Sequence, residues 1–500
     1  MTNTQVVMLV ILIIYLVANV AIGLIYGKKR DAKLAAGASD ENKYFIGGRG
    51  MNGLILAMTT MATYTSVSSF VSGPGAAGLT YGYAQAWVAA VQIPVTFLVL
   101  GVLGNKLAIV SRRTGAVTVA GFLKARYKND ALVIIVSLLM VAFFIAQMVS
   151  QFTGGATIIQ SLTGLNYKTS LIIFAIVVII YTSIGGFTAV VITDTIQGLI
   201  MCLGTFLFMF YVLKAAGGIS GVDAGLQQNL PGVYDNLFAK YSKQSLLSFW
   251  ILVGFGTIGL PQTAVRAMGF KSTKELHKAM WIGAVACSLV IVGMHMAGAW
   301  AGALVDTANL PTSDYFVPYI IQKIMPVGVA GIFLAAPMAA VMSTVSSLLI
   351  LASAAIVKDI WRTYIVKDDP VKIESYNKNV TKVSIIVTFV IGLITMIFTL
   401  NPPQIIFFLN LFAMGGLECS FLWALVGGLF WKKGTSLAAI CSSIGAVAVY
   451  IFCYYNPAVK ALGFNAVVWG LLAGGILYFA VGAADSKKHP LDQEILDKCF

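Results

Sequence analysis

Apolar runs of about twenty residues recur along the whole of this 500-residue chain, separated by short stretches where lysines and arginines gather. Each run is long enough to cross the hydrocarbon core of a bilayer as a helix. No other feature constrains the fold so tightly, because lipid offers the backbone no hydrogen bonds. A spanning segment must satisfy its own N–H and C=O groups as a helix, or pair its strands in a closed barrel. Barrel strands would alternate polar and apolar residues over about ten positions, and these runs do not. Charged residues make up 10% of the chain, against about 25% in a soluble domain. The expectation is an all-α polytopic membrane protein. The first run, Val6 to Tyr26, has no basic residue ahead of it. It is also too long for a signal-peptide core, so it is expected to stay as a span.

Spans are expected at about 6–27, 52–73, 82–103, 131–151, 169–185, 191–213, 245–265, 279–304, 326–357, 381–400, 404–430, 436–455 and 464–483, thirteen in all. Loop lysines and arginines gather on the cytoplasmic side of membrane proteins. With the N-terminus outside, thirteen crossings place 27 basic residues inside and 6 outside (Lys168, Lys214, Lys240, Lys243, Lys323 and Lys460), accounting for all 33. One span more or fewer would scramble that split. The net charge of +14 thus reads as topology, and no nucleic-acid partner is expected. Residues 1–484 are expected to form a single transmembrane unit, and 485–500 a cytoplasmic tail. That tail is too short for a signalling domain, which argues against a sensor of external solute.

Five cysteines lie in spans and Cys499 in the tail, none in a metal-type pair, and the three histidines are scattered. No phosphate loop, nucleophile triad or paired carboxylates are present, so an ATP-driven pump or a membrane enzyme lacks its machinery. No obligate protein partner is evident; the lipid bilayer and a small solute are the expected partners.

If the first span is an addition, spans 2–6 (about 52–213) and 7–11 (about 245–430) form two blocks of five. Five is odd, so the blocks cross the membrane in opposite senses, as an inverted repeat requires. The first span of each block looks breakable. Span 2 carries a polar run from Ala62 to Ser69 and then Gly73-Pro-Gly75; span 7 carries Gly254, Gly256, Gly259 and Pro261, followed by Gln262 and Thr263. Broken helices at matching positions of two halves point to a transporter's central site, although small residues also serve close helix packing.

These residues carry a resemblance to the sodium:solute symporter family that runs nearly end to end. The blocks are "YFIGGRGMNGLILAMTTMATYTSVSSFVSGPGAAG" (44–78), "YTSIGGFTAVVITDTIQGLIM" (181–201), "FGTIGLPQTAVR" (255–266), "GIFLAAPMAAVMSTVSS" (331–347) and "NLFAMGGLECSFLWALVGGLFW" (410–431). The resemblance implies a leucine-transporter type of fold with a five-plus-five inverted repeat, in a bacterial cytoplasmic (inner) membrane. The blocks at 255–266 and 410–431 resemble the pantothenate branch of the family. That implies import of pantothenate with Na+ as coupling ion; another small solute (a carboxylate, an amino acid such as proline, or a sugar) is the alternative.

Span 9 holds Ala340, Ser343 and Thr344 at spacings of three and four, on one helix face. Pro337 lacks an N–H and leaves the Phe333 carbonyl without its helical partner. A small hard cation takes oxygen ligands, and an unwound span 2 can add carbonyls near Ala62 and Thr65. The hydroxyls could instead bond back along their own helix. Matched to the family's sodium site, the ligands are Ala62, Thr65, Ala340, Ser343 and Thr344.

Two acids sit among the spans. Asp194 is expected at the water-reachable cytoplasmic junction of spans 5 and 6. The resemblance implies an inner way-station for sodium there; a helix-start cap is the alternative. Glu418 reads as a structural acid hydrogen-bonded between helices, or as a contributor to substrate selection. Proline-transporting members have an aspartate where this chain has Tyr64, which weakens the case for a carboxylate in the sodium site and suits an anionic substrate. By the same resemblance Tyr64, Ser68, Gln151, Trp250, Gln262 and Asn410 are the candidate substrate contacts; each could equally be packing.

Overall fold

Polar residues between the apolar runs start the helices. Side chains of Asn52, Asn129, Asn166, Ser242, Thr435 and Asn465 each accept a hydrogen bond from a first-turn N–H, satisfying donors that the helix itself leaves open. The computed structural model describes residues 3–35, 50–233, 236, 238, 240–305, 310, 312–401, 406–489 and 492–500; the first part of the 44–78 block lies outside the described residues. Among these the chain is all helical, with one isolated bridge between Met51 and Phe270 and no strand.

The principal helices are α1 (Asn3–Ala35), α2 (Gly53–Tyr64), α3 (Ser68–Tyr81), α4 (Tyr83–Thr114), α5 (Val119–Tyr127), α6 (Asp130–Thr163), α7 (Tyr167–Ala216), α8 (Ile219–Asn229), α9 (Lys243–Leu252) and α10 (Pro261–Met268). They continue as α11 (Thr273–Leu304), α12 (Phe316–Ile324), α13 (Val327–Val366), α14 (Pro370–Thr399), α15 (Ile406–Phe430), α16 (Ser436–Tyr455), α17 (Ala466–Lys488) and α18 (Gln493–Cys499).

Ten helices among the described residues are long and apolar enough to span a membrane, or twelve if each of two bent pairs counts as one span. The expected spans 169–185 and 191–213 run together as α7, a single 50-residue element with one non-helical residue, Gly186 at φ 65°. No polar loop separates these two spans; a glycine in a backbone conformation that L side chains avoid makes the bend.

Helix α13 is the centre of the molecule. Its most apolar stretch is 94% buried, packed among α1, α2, α6, α7 and α14. Helix α1 lies on α7 through Gly23 and Gly27, where a Cβ would meet Tyr181 and Ile184 within 3 Å. Large apolar side chains such as Phe206, Phe398 and Ile476 are exposed on the outer helices, a surface suited to lipid and not to water. Helix α17 runs past the expected boundary at 484, and α18 packs back onto α4 and α5. There the Phe500 ring meets the Lys106 ammonium 4.7 Å from its centroid.

Candidate functional site

Both expected breaks form. Helix α2 stops at Tyr64, with Thr65 extended (φ −78°, ψ 119°), and α3 leaves at 75° to it. Thr and Ser side chains compete for backbone hydrogen bonds, so the Thr-Tyr-Thr-Ser-Val-Ser-Ser run carries a helix poorly. The Val67 N–H at the restart donates to Gln151 Oε1 at 3.0 Å. The second break runs from Gly254 through a 3-10 turn at Phe255–Gly259 to an extended Leu260, with α10 bent 44° away. Leu260 precedes Pro261, which disfavours helix at the residue before it and suits the first position of the next.

Five oxygens of the expected ligand residues converge where the first break meets α13, with the Ala339 carbonyl beside them. Ser343 Oγ donates to the carbonyls of Ala62 (2.9 Å), Ala339 (2.8 Å) and Ala340 (3.2 Å). Thr344 Oγ1 donates to those of Thr65 (3.0 Å) and Ala340 (2.9 Å). The structure therefore brings Ala62, Thr65, Ala340, Ser343 and Thr344 together, all fully buried. The hydroxyls bond back along α13 and also across to α2. Three carbonyls and two hydroxyls carry no formal charge, a donor set suited to a singly charged hard cation; divalent sites usually add carboxylates.

Beside this cage lies a cavity of about 50 Å³ lined by Tyr64, Ser66, Ser68, Ser69, Gln85, Gln92, Phe249, Val253, His295, Asn410 and apolar neighbours. Tyr64 lies between the two breaks, its hydroxyl donating to the Val253 carbonyl at 2.7 Å. Ser68 lines the cavity, and its hydroxyl bonds no described group. Asn410 also lines it and accepts from Gln151 Nε2 at 3.1 Å, so Gln151 stands behind the wall as a brace. Gln262 is buried in the first turn of α10, and Trp250 donates to the Trp87 carbonyl at 3.2 Å on α4; neither lines the cavity. Its aromatic wall is instead Phe249, one residue away.

Phe249 also lines a second, wider space of about 770 Å³ with Ser72, Tyr81, Lys240, Tyr241, Leu310 and Asp314. Tyr81 and Tyr241 stack there with centroids 4.2 Å apart. Ser72 Oγ donates to Asp314 Oδ1 at 2.5 Å. Burial raises the Asp314 carboxyl above the usual carboxylate range, while that bond from Ser72 works the other way.

Asp194 is not at a water-reachable junction. It lies within α7, 0% exposed, and pairs with Arg266 Nη2 of α10 at 2.9 Å. Thr59 Oγ1 donates to the same carboxyl oxygen at 2.9 Å. Arg266 also bonds Ser347 of α13 and Thr63 of α2. The expected helix-start cap is therefore absent, and the place of a cation beside Asp194 is taken by a guanidinium. Glu418 does not make the expected interhelical hydrogen bond either, since neither carboxyl oxygen bonds a described group. It packs on Gly256, where a Cβ would stand 2.1 Å from Oε2. Arg266, Phe249, Gln85 and His295 are absent from the residues expected from sequence. Hydropathy gave Arg266 to a loop, and the lone histidine of the eighth span was the available signal for His295.

The model of the sodium:solute symporter family matches residues 44–445. The curated sodium/pantothenate symporter of Haemophilus influenzae is 43% identical over 448 residues, 88% of this chain and 89% of that protein. That of Escherichia coli is 41% identical over 446 residues, 88% and 90%. Among solved structures, a substrate-bound, outward-open Na+-coupled sialic acid symporter covers 96% of this chain and 97% of its own, with TM-score 0.78 at 20% identity. At that identity the likeness is one of fold, of the leucine-transporter type. With four-fifths of its length matched by the family model, the chain belongs to the sodium:solute symporter family.

Proposed function

We propose that the chain imports pantothenate with sodium across a bacterial cytoplasmic membrane, by alternating access around the cavity between the two breaks. The observation that carries this reading is the five-oxygen cage, which joins the end of α2 to α13 beside that cavity. The family supports sodium as coupling ion, and relatives at 43% and 41% identity support pantothenate as solute. In this reading sodium takes Ala62, Thr65, Ala340, Ser343 and Thr344, and holds α13 to the broken span. The solute sits against Tyr64, Ser68 and Asn410, while Gln151, Gln262 and Trp250 brace the walls. Sodium leaving inward loosens the tie and weakens solute binding.

A space of about 50 Å³ is far below the roughly 300–1,000 Å³ of ligand sites, so the cavity is contracted here and widens to load. Phe249 separates it from the wider space, and the Asp194–Arg266 network closes the opposite side. The basic loops face the cytoplasm and the N-terminus faces out. At 1.5 Å per residue α7 is about 75 Å long, over twice the hydrocarbon thickness. That length supports two crossings within α7; with the bent pairs counted once each, the total is thirteen. Residues 1–484 then work as one transport unit, with 52–213 and 245–430 as inverted repeats and 485–500 as a cytoplasmic tail. The chain catalyses no covalent step.

Uptake of labelled pantothenate into proteoliposomes tests this. Accumulation is expected with an inward sodium gradient and not with potassium in its place; equal uptake in both would sink the reading.

A further inference from the structure

The central cavity is lined by neutral hydrogen-bonding groups. Among the described residues lining it there is no Asp, Glu, Lys or Arg. Two of its amides have their oxygens engaged: Gln85 Oε1 accepts from the Tyr241 hydroxyl at 2.5 Å, and Asn410 Oδ1 from Gln151 Nε2 at 3.1 Å. For a solute these two amides keep N–H donors, one Asn410 N–H being shared with the Met414 sulfur at 3.6 Å, and a second lone pair on each oxygen. The Tyr64 hydroxyl hydrogen is committed to the Val253 carbonyl. Such a lining suits the carboxylate and carbonyl oxygens of a solute; for its O–H groups the lining offers the Ser66, Ser68 and Ser69 hydroxyls, the Gln92 amide and His295.

Of these acceptors, His295 is the one whose orientation is fixed by a hydrogen bond of its own ring. It sits in α11, 5% exposed, with Nδ1 2.7 Å from the Ile291 carbonyl. A carbonyl only accepts, so Nδ1 carries the hydrogen and the neutral ring presents Nε2 as a lone-pair acceptor. Nε2 lies on Gly73 of α3, where a Cβ would be 2.3 Å away. The bare glycine thus lets the ring seat against α3, one turn beyond the unpartnered Ser68 hydroxyl. We infer that His295 is a specificity-determining residue of the central site: its Nε2 accepts the hydrogen of a solute hydroxyl, while Asn410 and Gln85 donate to the solute's carbonyl or carboxylate oxygens. The inference rests on the proposed function, because the solute named there carries both hydroxyls and a carboxylate. It predicts selection against solutes of similar size that lack the hydroxyls, since a buried acceptor left unpaired opposes their binding.

The experiment measures sodium-driven uptake of labelled pantothenate by wild type, His295→Ala and His295→Gln, with an N-acyl-β-alanine lacking both hydroxyls as competitor. Wild type decides the function on its own: if it does not carry pantothenate, the proposed function fails whatever the variants do. If it does, His295→Ala is expected to raise the KM for pantothenate about tenfold or more, with little change in half-saturating sodium. Its inhibition by the hydroxyl-free competitor should be unchanged or stronger. His295→Gln, which keeps an acceptor near Nε2, should recover most of the loss. An unchanged KM in His295→Ala, or equal losses for pantothenate and competitor, would overturn the inference. Should His295→Ala fail to insert, His295→Gln decides: it must keep wild-type preference for pantothenate over the competitor, and loss of that preference overturns the inference.

Discussion

Arg266 and Asp194 form an ion pair of 2.9 Å in a layer that solvent does not reach, at 2% and 0% exposure. The pair ties α10 to α7, and its hydroxyl partners Thr59, Thr63 and Ser347 bring in α2 and α13. The layer is incompletely satisfied: Asp194 Oδ1 and Arg266 Nη1 bond no described group. A buried network left partly open is a poor source of stability. It is better suited to an element that closes and reopens.

Removing one partner strands a buried charge, at a cost of about 3–5 kcal/mol, whereas replacing both with neutral side chains is often close to neutral. Asp194→Asn and Arg266→Met should each lower the melting temperature in detergent and the membrane abundance, and the double variant should recover much of both. As the inner closure, the pair also predicts that Arg266→Met admits a membrane-impermeant thiol reagent from the cytoplasmic side to a cysteine at position 68, in a cysteine-free background. Additive losses in the double variant would mean that the two residues do not act as a pair.

A second prediction follows from what occupies Asp194. With a guanidinium beside that carboxylate, the proposed sodium site is the five-oxygen cage alone. Pantothenate is an anion at neutral pH, so one sodium per solute makes the cycle electroneutral. The membrane potential, worth about 2.3 kcal/mol per charge per 100 mV, then does not drive uptake. Imposing an inside-negative potential on proteoliposomes at fixed sodium should leave the accumulation ratio unchanged. A rise with potential would require a second cation.

The fold was legible wherever local chemistry dictates it. Apolar length marked the helices, Pro261 and the Thr/Ser run at 62–69 marked the breaks, and the family resemblance, beside the hydroxyl spacing on α13, pointed to the five residues that meet there. Pairings distant in the chain were not legible. Arg266 looked like a loop cation because its window is polar, and its partner lies 72 residues away. Gln151 read as a solute contact because its segment resembles one that lines the family's central cavity; only the packing reveals that its amide oxygen accepts from the Val67 N–H. The spans expected at 169–185 and 191–213 form one helix, α7, with a kink at Gly186 and no polar loop, so no charge marks a boundary between them. Phe249 and Trp250 are neighbours in sequence, and which of them faces the cavity is decided by packing.

Topology is testable by labelling. On the topology proposed from the charge asymmetry, positions 33, 124 and 367 are expected in the cytoplasm and the 216–244 segment outside. Single cysteines at 124 and 221 should react with an impermeant reagent from opposite sides of right-side-out and inverted vesicles. Reaction of both from the same side would break the thirteen-crossing reading, even with every helix correctly placed.

The Ser343 and Thr344 hydroxyls hydrogen-bond α13 to the end of α2. Deleting either leaves a buried carbonyl short of a donor, so some loss of stability, about 1–3 kcal/mol, is expected whether or not sodium binds there. Stability alone therefore cannot distinguish a ligand from a strut; sodium dependence can. If the hydroxyl oxygens turn their lone pairs to the ion, Ser343→Ala and Thr344→Ala should each raise half-saturating sodium about tenfold or more, where tenfold is 1.4 kcal/mol. Sodium should also protect these variants less against thermal unfolding than it protects wild type. Ser347 is no control, because it belongs to the Arg266 network. Thr388 is a suitable one: it is equally buried, and its hydroxyl bonds back to the Ser384 carbonyl at 2.8 Å on α14. Thr388→Ala should leave sodium dependence as it was. If Ser343→Ala and Thr344→Ala do the same while melting earlier, the hydroxyls are struts between α2 and α13, and the cation binds elsewhere.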